Sequence, residues 1–172
     1  MTSPKPAPPL IVEQWFNSEH PIELAALRGR VVLIYAFQML CPGCVQHSVP
    51  QARDVFEAFD RSQLVVLGLH TVFEHHAAMP PHALEVFLHE NRLRFPVGVD
   101  ARGAEAIPRT MHAYAMQGTP TTVLIDRLGR RRGQRLGHVK DMQLAASLAM
   151  LMLESVDALS EADGCEGEPA RR

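Results

Sequence analysis

The feature that most constrains this chain is a strand-like apolar run that leads directly into two closely spaced cysteines. Residues Val31–Phe37 are all aliphatic or aromatic, a composition typical of a strand buried on both faces. From Pro42 to about Asp60 the apolar residues recur at helical spacing, which predicts an amphipathic helix. Cys41 and Cys44 therefore lie where a central strand leads into a helix. The predicted buried face of this helix consists of Val45, Val49, Ala52, Val55, Phe56 and Phe59.

The remaining patterns alternate between strand and helix. Short apolar or β-branched runs predict strands at residues 10–16, 64–69, 95–99, 121–125 and 131–138. Helical spacing predicts helices from Pro81, within residues 104–114, and from Asp141 to about Leu159. From the central strand onward the order is β, α, β, α, β, α, β, β, α. This order implies an α/β fold with a central mixed β-sheet and helices on both faces.

Length and charge limit the partners that the chain can have. Its 172 residues, 47% of them hydrophobic, can build one core, so we expect a single domain over residues 1–159. Residues 160–172 are rich in Glu, Gly and Ala and are expected to be disordered. A net charge of -2 offers no attraction to nucleic acid. The apolar stretch 144–153 is far shorter than a bilayer span of about 20 residues, so no membrane partner is expected.

The cysteine count and the N-terminus both favour a reducing compartment. Three cysteines are few, and an odd number, for a secreted domain stapled by disulfides, and Cys165 in the tail is interpreted as a bystander. Residues 1–9 hold four prolines and one lysine but lack the apolar run of about 7 to 15 residues that a signal peptide needs. We therefore expect a cytoplasmic protein, or an exported one if a leader has been removed.

The spacing of the two cysteines at a helix start indicates redox chemistry. Pro42 suits the first helical position, which makes Cys41 the N-cap. A sulfur there faces unpaired N–H groups and the positive end of the helix dipole, which favours the thiolate. Cys44, three residues on, projects to the same side one turn deeper. We interpret Cys41 as the nucleophile that attacks a disulfide and Cys44 as the resolving thiol that releases the product.

Metal binding is the alternative reading of these residues. A structural zinc site needs four ligands, and the sequence has no second CxxC pair. An inert pair of buried thiols is disfavoured by the N-cap position. A histidine-rich segment follows, which with Glu74 could ligate a metal, but it has no i, i+4 pair on a predicted helix and no nearby cysteine. We expect no metal or other cofactor and interpret these histidines as part of a polar loop that shapes substrate access: His70, His75, His76, His82 and His89.

A second motif, Gly-Thr-Pro-Thr at residues 118–121, directly precedes a predicted strand. Only about 5% of X–Pro bonds in folded proteins are cis, so the motif alone would indicate a trans proline. Together with the upstream CxxC, it leads us to expect a cis bond at Pro120. Such a bond would turn the Thr119 backbone outward beside the dithiol, free to pair with an extended substrate. Thr119 and Pro120, with Pro42 and Gly43, are the candidate substrate-binding residues.

At these two motifs the chain resembles the thioredoxin-like superfamily, and more narrowly its TlpA-like and peroxiredoxin-related (redoxin) branch. The resemblance extends over residues 11–159 and includes the run Thr-Pro-Thr-Thr-Val-Leu-Ile-Asp-Arg at 119–127. It implies a thioredoxin-like fold, a cis proline and a thiol:disulfide oxidoreductase. The partners expected are protein thiols and disulfides and a separate reducing partner. In a reducing cytoplasm we expect the reductase direction.

Four positions depart from the family pattern. Leu40 stands where many relatives have Trp, and Pro50 comes one place later than the usual helix proline. Tyr35 occupies the position of a buried Asp that assists proton transfer in thioredoxin, and His47 that of a Glu common in TlpA-like proteins. Tyr35 and His47 are therefore candidates for proton transfer. For His47 the alternative is a partly exposed helix residue without such a role, because an ordinary histidine pKa proves nothing by itself.

Two other functions remain open at this stage. A peroxiredoxin-type peroxidase would need Thr three residues before its reactive cysteine and Pro seven before, and Gln38 and Ile34 hold these positions relative to Cys41. A low-pKa thiol supplies reactivity with peroxide but not the missing hydroxyl donor. The third possibility is a non-catalytic redox sensor or binding module that uses the fold only to dock a partner.

Overall fold

The computed structural model describes residues 4–104 and 106–155. In these residues six strands form one sheet: β1 (Val12–Phe16), β2 (Val31–Phe37), β3 (Leu64–His70), β4 (Val97–Asp100), β5 (Thr121–Ile125) and β6 (Arg131–Leu136). The helices are α1 (Val49–Ala58), α2 (Pro81–Glu90), α3 (Arg109–Ala113) and α4 (Asp141–Leu153). Short 3-10 turns lie at Leu24–Leu27 and His76–Ala78, and a π-helical segment, Cys44–Ser48, leads into α1.

The sheet is mixed, as the order of elements predicted. The strand order is β1-β4-β3-β2-β5-β6. Strand β2 runs parallel to β3 and antiparallel to β5, and β3 runs parallel to β4. The outer strands β1 and β6 are both antiparallel to their neighbours. All seven residues of β2 are buried, which confirms this strand as the centre of the fold.

Alternate residues of β2 face two separate cores. One core includes side chains of α1, α2 and α4, and the other includes Met111 of α3 together with apolar residues near the N-terminus. Helices therefore cover both faces of the sheet, as expected. On α4, Leu144, Leu148 and Leu151 form the buried side of the helix.

Some element boundaries differ from the sequence-based prediction for local reasons. Strand β6 ends at Leu136 instead of residue 138, since Gly137 has a φ of 84° and its N–H donates to the Pro120 carbonyl at 2.8 Å. The first helix ends at Ala58, two residues before Asp60. The helix predicted within residues 104–114 is restricted to Arg109–Ala113, because the extended Pro108 at its N-cap prevents its extension upstream.

A buried carboxylate fixes the short helix α3. Asp100, at the end of β4, accepts hydrogen bonds from the N–H groups of Thr110 at 2.7 Å and Met111 at 2.9 Å. It also accepts a hydrogen bond from the Thr71 hydroxyl at 2.9 Å. Asp100 therefore joins β4, the end of β3 and the first turn of α3. Burial raises the pKa of Asp100 above its ordinary value, while these hydrogen bonds act in the opposite direction.

Three predictions need comment. The interpretation of the histidine-rich segment as one polar loop is wrong: His70 ends β3, and His82 and His89 lie on α2, where the Pro81 start and apolar spacing allow a helix. The tail at residues 160–172 and the predicted last turn of the final helix lie outside the described residues. Within the part of the chain that the structure describes, no helix is long and apolar enough to cross a membrane.

Candidate active site

The dithiol lies at the carboxyl end of β2, where the chain turns into its first helix. Helical residues begin at Pro42, and the Val45 N–H donates to the Cys41 carbonyl at 3.0 Å. Cys41 therefore has the predicted N-cap position. Upstream, the Cys41 N–H donates to the Gln38 carbonyl at 3.1 Å, which closes a tight turn between strand and helix.

The two thiols differ in their surroundings. The Cys44 N–H donates to Cys41 Sγ at 3.4 Å, and the Cys41 thiol contacts the Thr119 carbonyl oxygen at 3.6 Å. Cys41 is partly exposed, whereas Cys44 is fully buried. Burial raises the pKa of the Cys44 thiol, as does its hydrogen bond with the Cys41 side chain. This is the arrangement of an accessible attacking sulfur with a protected sulfur one helical turn below it.

A π-helical turn directly follows the CxxC motif. The Val49 N–H donates to the carbonyl of Cys44, five residues back, which adds one residue to the turn. The π-helical segment ends at Ser48, two residues before Pro50. Pro50 has no N–H, and its ring would clash with the carbonyl four residues back in a regular α-helix. The late helix proline noted in the sequence is thus accommodated by the π turn. The extra residue also corrects one prediction: Val45 is 37% exposed instead of buried.

The proline motif lies against the dithiol. The Thr119–Pro120 peptide bond is cis, Thr119 is partly exposed and Pro120 is buried. A Cβ built on Gly43 would lie 3.5 Å from Pro120 Cδ, so the CPGC turn and the proline loop pack closely. The structure thus brings together five of the predicted site residues, Cys41, Cys44, Gly43, Thr119 and Pro120. Pro42 is exposed at the same turn.

Tyr35 is buried on β2 and contacts a glutamine on α1. Its hydroxyl donates to Gln51 Oε1 at 2.9 Å, and the Gln51 amide donates to the Val139 carbonyl at 2.7 Å and to Asp141. Burial raises the pKa of Tyr35 well above its ordinary value, and the negative charges of Asp141 and Asp54 act in the same direction. The phenol therefore keeps its proton at neutral pH and joins β2, α1 and the start of α4 through Gln51.

His47 lies on the surface of the π-helical segment. Its side chain is exposed, and its ring centroid is 4.9 Å from that of His138, with 33° between the ring planes. His138 belongs to the loop between β6 and α4. The exposure agrees with the interpretation of His47 as a surface residue, and its role in proton transfer stays a prediction.

Sequence reasoning missed the contact between His70 and the active-site turn. His70 is 1% exposed, packs against Phe37, and its Nε2 accepts a hydrogen bond from the Met39 N–H at 3.4 Å. Burial lowers the pKa of His70 to about 4, so the ring is neutral at pH 7 and able to accept this bond. The sequence did hold a signal for this contact, because His70 is the last residue of a buried strand. The carboxyl ends of the parallel strands β2 and β3 meet at the same edge of the sheet, where the dithiol also lies.

The residues around the dithiol do not form a metal site. Among the described residues, no group of three or more His, Cys, Asp and Glu side chains could hold a metal ion. His70 is buried at the end of β3, whereas His89 is exposed on α2 beside Glu90.

We predict that Cys41 is alkylated about 100-fold faster than Cys44 in the reduced folded protein near neutral pH. The reason is that Cys44 is buried and its pKa is raised, so little of it is thiolate. The alkylation rate of Cys44 should keep rising with pH beyond the point at which the rate of an ordinary thiol has levelled off. Iodoacetamide labelling followed by peptide mass analysis measures both rates. In denaturant the two rates should converge, and faster labelling of Cys44 in the folded protein would contradict the prediction.

Comparison with known proteins identifies the family. A model described as the AhpC/TSA family matches residues 5–131. The chain belongs to this family. A curated relative, Protein DipZ of Mycobacterium bovis, is 29% identical over 125 residues, or 72% of this chain. The chain spans only 17% of the length of that protein.

Two solved structures match nearly all of the described fold. The crystal structure of a thioredoxin-like superfamily protein is 54% identical, with a TM-score of 0.86, over 88% of this chain and 98% of that one. A thiol-disulfide isomerase from Corynebacterium glutamicum is 47% identical, with a TM-score of 0.82, over 87% and 98%. The thioredoxin-like fold and the redoxin resemblance are confirmed, and the chain belongs to the family of thioredoxin-like thiol-disulfide oxidoreductases.

Proposed function

We propose that this protein reduces disulfide bonds in protein substrates in the cytoplasm, through the CPGC dithiol. The observation that carries the proposal is the pairing of a partly exposed Cys41 sulfur at a helix start with a buried Cys44 one turn below. The Cys44 N–H directed at Cys41 Sγ stabilises negative charge on that sulfur. Cys41 is therefore the sulfur that attacks.

The reaction balances as a two-electron exchange. The Cys41 thiolate attacks one sulfur of the substrate disulfide, which forms a mixed disulfide and releases the other substrate sulfur as a thiolate. Cys44 then loses its proton and attacks Cys41 Sγ. The Cys41–Cys44 disulfide forms, the substrate leaves with both sulfurs reduced, and a reducing dithiol partner restores the starting state.

The surface around Cys41 fits a polypeptide substrate. Leu40 is 56% exposed and Val45 37% exposed on either side of the motif, and Leu136, 59% exposed, lies beside Gly118 of the proline loop. These apolar side chains offer contacts to the residues that flank a substrate cysteine. The partly exposed backbone of Thr119 can pair with an extended segment as a neighbouring strand would.

The test of the proposal is to trap the mixed disulfide. In a Cys44→Ser variant the resolving step is blocked, so covalent Cys41 adducts with substrate proteins should accumulate. Addition of a reductant should cleave these mixed disulfides. Non-reducing gels and mass analysis of the adducts measure this. The double variant Cys41→Ser/Cys44→Ser should trap nothing. Absence of adducts from the single variant in lysates containing oxidised proteins would refute the mechanism.

Peroxide reduction is the second candidate, because the family match extends over most of the chain. At the position where a peroxiredoxin has Thr, the Gln38 side chain is buried, and its amide oxygen accepts from the Phe73 N–H at 3.4 Å. Its amide N–H donates to Glu74 at 3.4 Å. The side chain is thus directed to the neighbouring loop and offers no hydroxyl. Consumption of hydrogen peroxide by the reduced protein, compared with its reduction of insulin, distinguishes the two functions.

A further inference from the structure

Helix α4 is apolar on both of its sides. Leu144, Leu148 and Leu151 are buried against the sheet. On the opposite side Met142 and Leu153 are 86% and 85% exposed, and Met150 is 68% exposed. Residues 142–153 include no charged side chain. A helix that is hydrophobic all round is normally covered on all sides, and in the described part of the chain the outer side is open.

The exposed residues form one continuous face. They are spaced three or four residues apart along the helix, as positions on one side of a helix are. We call them the outer face of α4: Met142, Ala145, Ala146, Ala149, Met150 and Leu153. An exposed apolar surface of this extent is typical of an interaction site.

The outer face is complementary to a reversed copy of itself. A two-fold axis through the middle of the helix, between residues 147 and 148, would place a second α4 antiparallel to the first. This operation exchanges outer-face residues in three pairs: Met142 with Leu153, Ala145 with Met150, and Ala146 with Ala149. Every outer-face position thus meets another outer-face position, as a two-fold interface requires. Met142 opposes Leu153 at each end of the pair, Met150 opposes the small Ala145, and the central alanines permit close approach of the helices.

Charges at the two ends of the helix agree with this arrangement. Asp141 and Lys140 lie at the start of α4. At its end, Glu154 forms an ion pair with Arg132, with Nη2 to Oε1 at 2.8 Å. In the antiparallel pair each start meets the end of the other copy, so two acidic and two basic side chains come together and their charges balance. The apolar centre is then bounded by a polar rim, as in ordinary interfaces.

We propose that the outer face of α4 binds a second copy of this chain and forms a two-fold antiparallel dimer. The chain's own C-terminal segment is a poorer match for this face. Residues 156–172 contain only two large aliphatic side chains, Val156 and Leu159, and five acidic residues. The interface is a single helix pair about 20 Å long, less than a standard interface, so we expect weak association, with a dissociation constant on the order of 10 µM.

The dimer leaves both active sites accessible. Helix α4 begins at the edge of the sheet that bears the proline loop, where Leu136 pairs with Thr121 and Gly137 bonds to Pro120. In an antiparallel pair the two starts of α4 lie at opposite ends, and so do the two dithiols. Dimer formation therefore should not change the reductase activity per chain.

The test is sedimentation equilibrium of the full reduced chain over about 1 to 200 µM, a range that brackets the expected constant. The mass should rise to that of two chains. Leu153→Glu should weaken association at least tenfold, because it buries a charge in the interface. The matched control is Val86→Glu, at a 61% exposed position of α2, which should leave the association unchanged. Both variants should retain insulin reductase activity per chain.

A charge pair tests the orientation. Met142→Lys alone should weaken the dimer as Leu153→Glu does, whereas the double variant should restore it, because residue 142 of one copy faces residue 153 of the other. A chain that stays monomeric at every concentration overturns the proposal, and so does a dimer unaffected by Leu153→Glu. A double variant that stays dissociated overturns the antiparallel pairing. None of these results bears on the dithiol, so failure here is distinct from failure of the proposed function.

Discussion

Replacing Cys41 by serine is expected to lower the rate of insulin-disulfide reduction by roughly a thousandfold or more, because a serine hydroxyl is not ionised near neutral pH. Cys41 is the partly exposed sulfur at the helix start, and the buried Cys44 cannot reach a substrate disulfide in its place. The measurement is turbidity of reduced insulin with a dithiol reductant as electron source. Circular dichroism checks that the variant is folded. We expect it to be folded, because serine is a favoured residue at a helix N-cap.

Two matched variants serve as controls for the Cys41→Ser result. Cys165→Ser, the same substitution at the third cysteine, should leave the rate unchanged. Cys44→Ser should lose turnover but still form one adduct per chain, because only the resolving step is removed. If Cys41→Ser retained more than a tenth of the wild-type rate, the assignment of Cys41 as nucleophile would be wrong.

The sequence predicted the fold well where the signal is local. The apolar run of β2, the β-branched run of β5 and the start of α4 at Asp141 coincide with the observed elements. The N-cap position of Cys41 also followed from local chemistry, since Pro42 is suited to a first helical turn. These features depend on neighbours in the chain, and periodicity and capping preferences describe such neighbours directly.

The missed features depend on contacts between distant residues. His70 and Met39 are 31 positions apart, and Gln51 reaches Val139 across 88. No spacing rule links such pairs, because the sheet order that brings them together is a property of the whole fold. The π turn is an intermediate case: the late Pro50 was visible in the sequence, but its consequence, an exposed Val45, depends on how the helix absorbs one extra residue.

The active-site residues fall into two groups, those that take part in the disulfide exchange and those that hold them in position. Cys41 and Cys44 bear the exchanging sulfurs, and Thr119 presents its backbone beside them. Around them, His70 bonds to the turn before Cys41, and Tyr35 with Gln51 holds the helix that follows. The position of thioredoxin's buried Asp is thus occupied by a phenol whose pKa burial raises, and the role of Tyr35 in proton transfer stays a prediction.

The second large effect is expected for Asp100→Ala, which should lower the free energy of unfolding by about 3 to 4 kcal/mol. Asp100 is 4% exposed and is the acceptor for two backbone N–H groups and one hydroxyl. Its removal leaves buried donors without an acceptor, at about 1 to 3 kcal/mol for each group that cannot find another. The helix α3 loses its N-terminal acceptor at the same time.

Urea unfolding followed by circular dichroism measures this change, with unchanged slope as evidence that the folded state is intact. Asp100→Asn should cost less, because its amide oxygen can still accept from Thr110 or Met111. Asp54→Ala is the matched control: this carboxylate is 72% exposed and only loosely paired with Arg53, so its loss should change stability by less than about 0.5 kcal/mol. Equal losses for Asp100→Ala and Asp54→Ala would show that the Asp100 hydrogen bonds contribute nothing net to the fold.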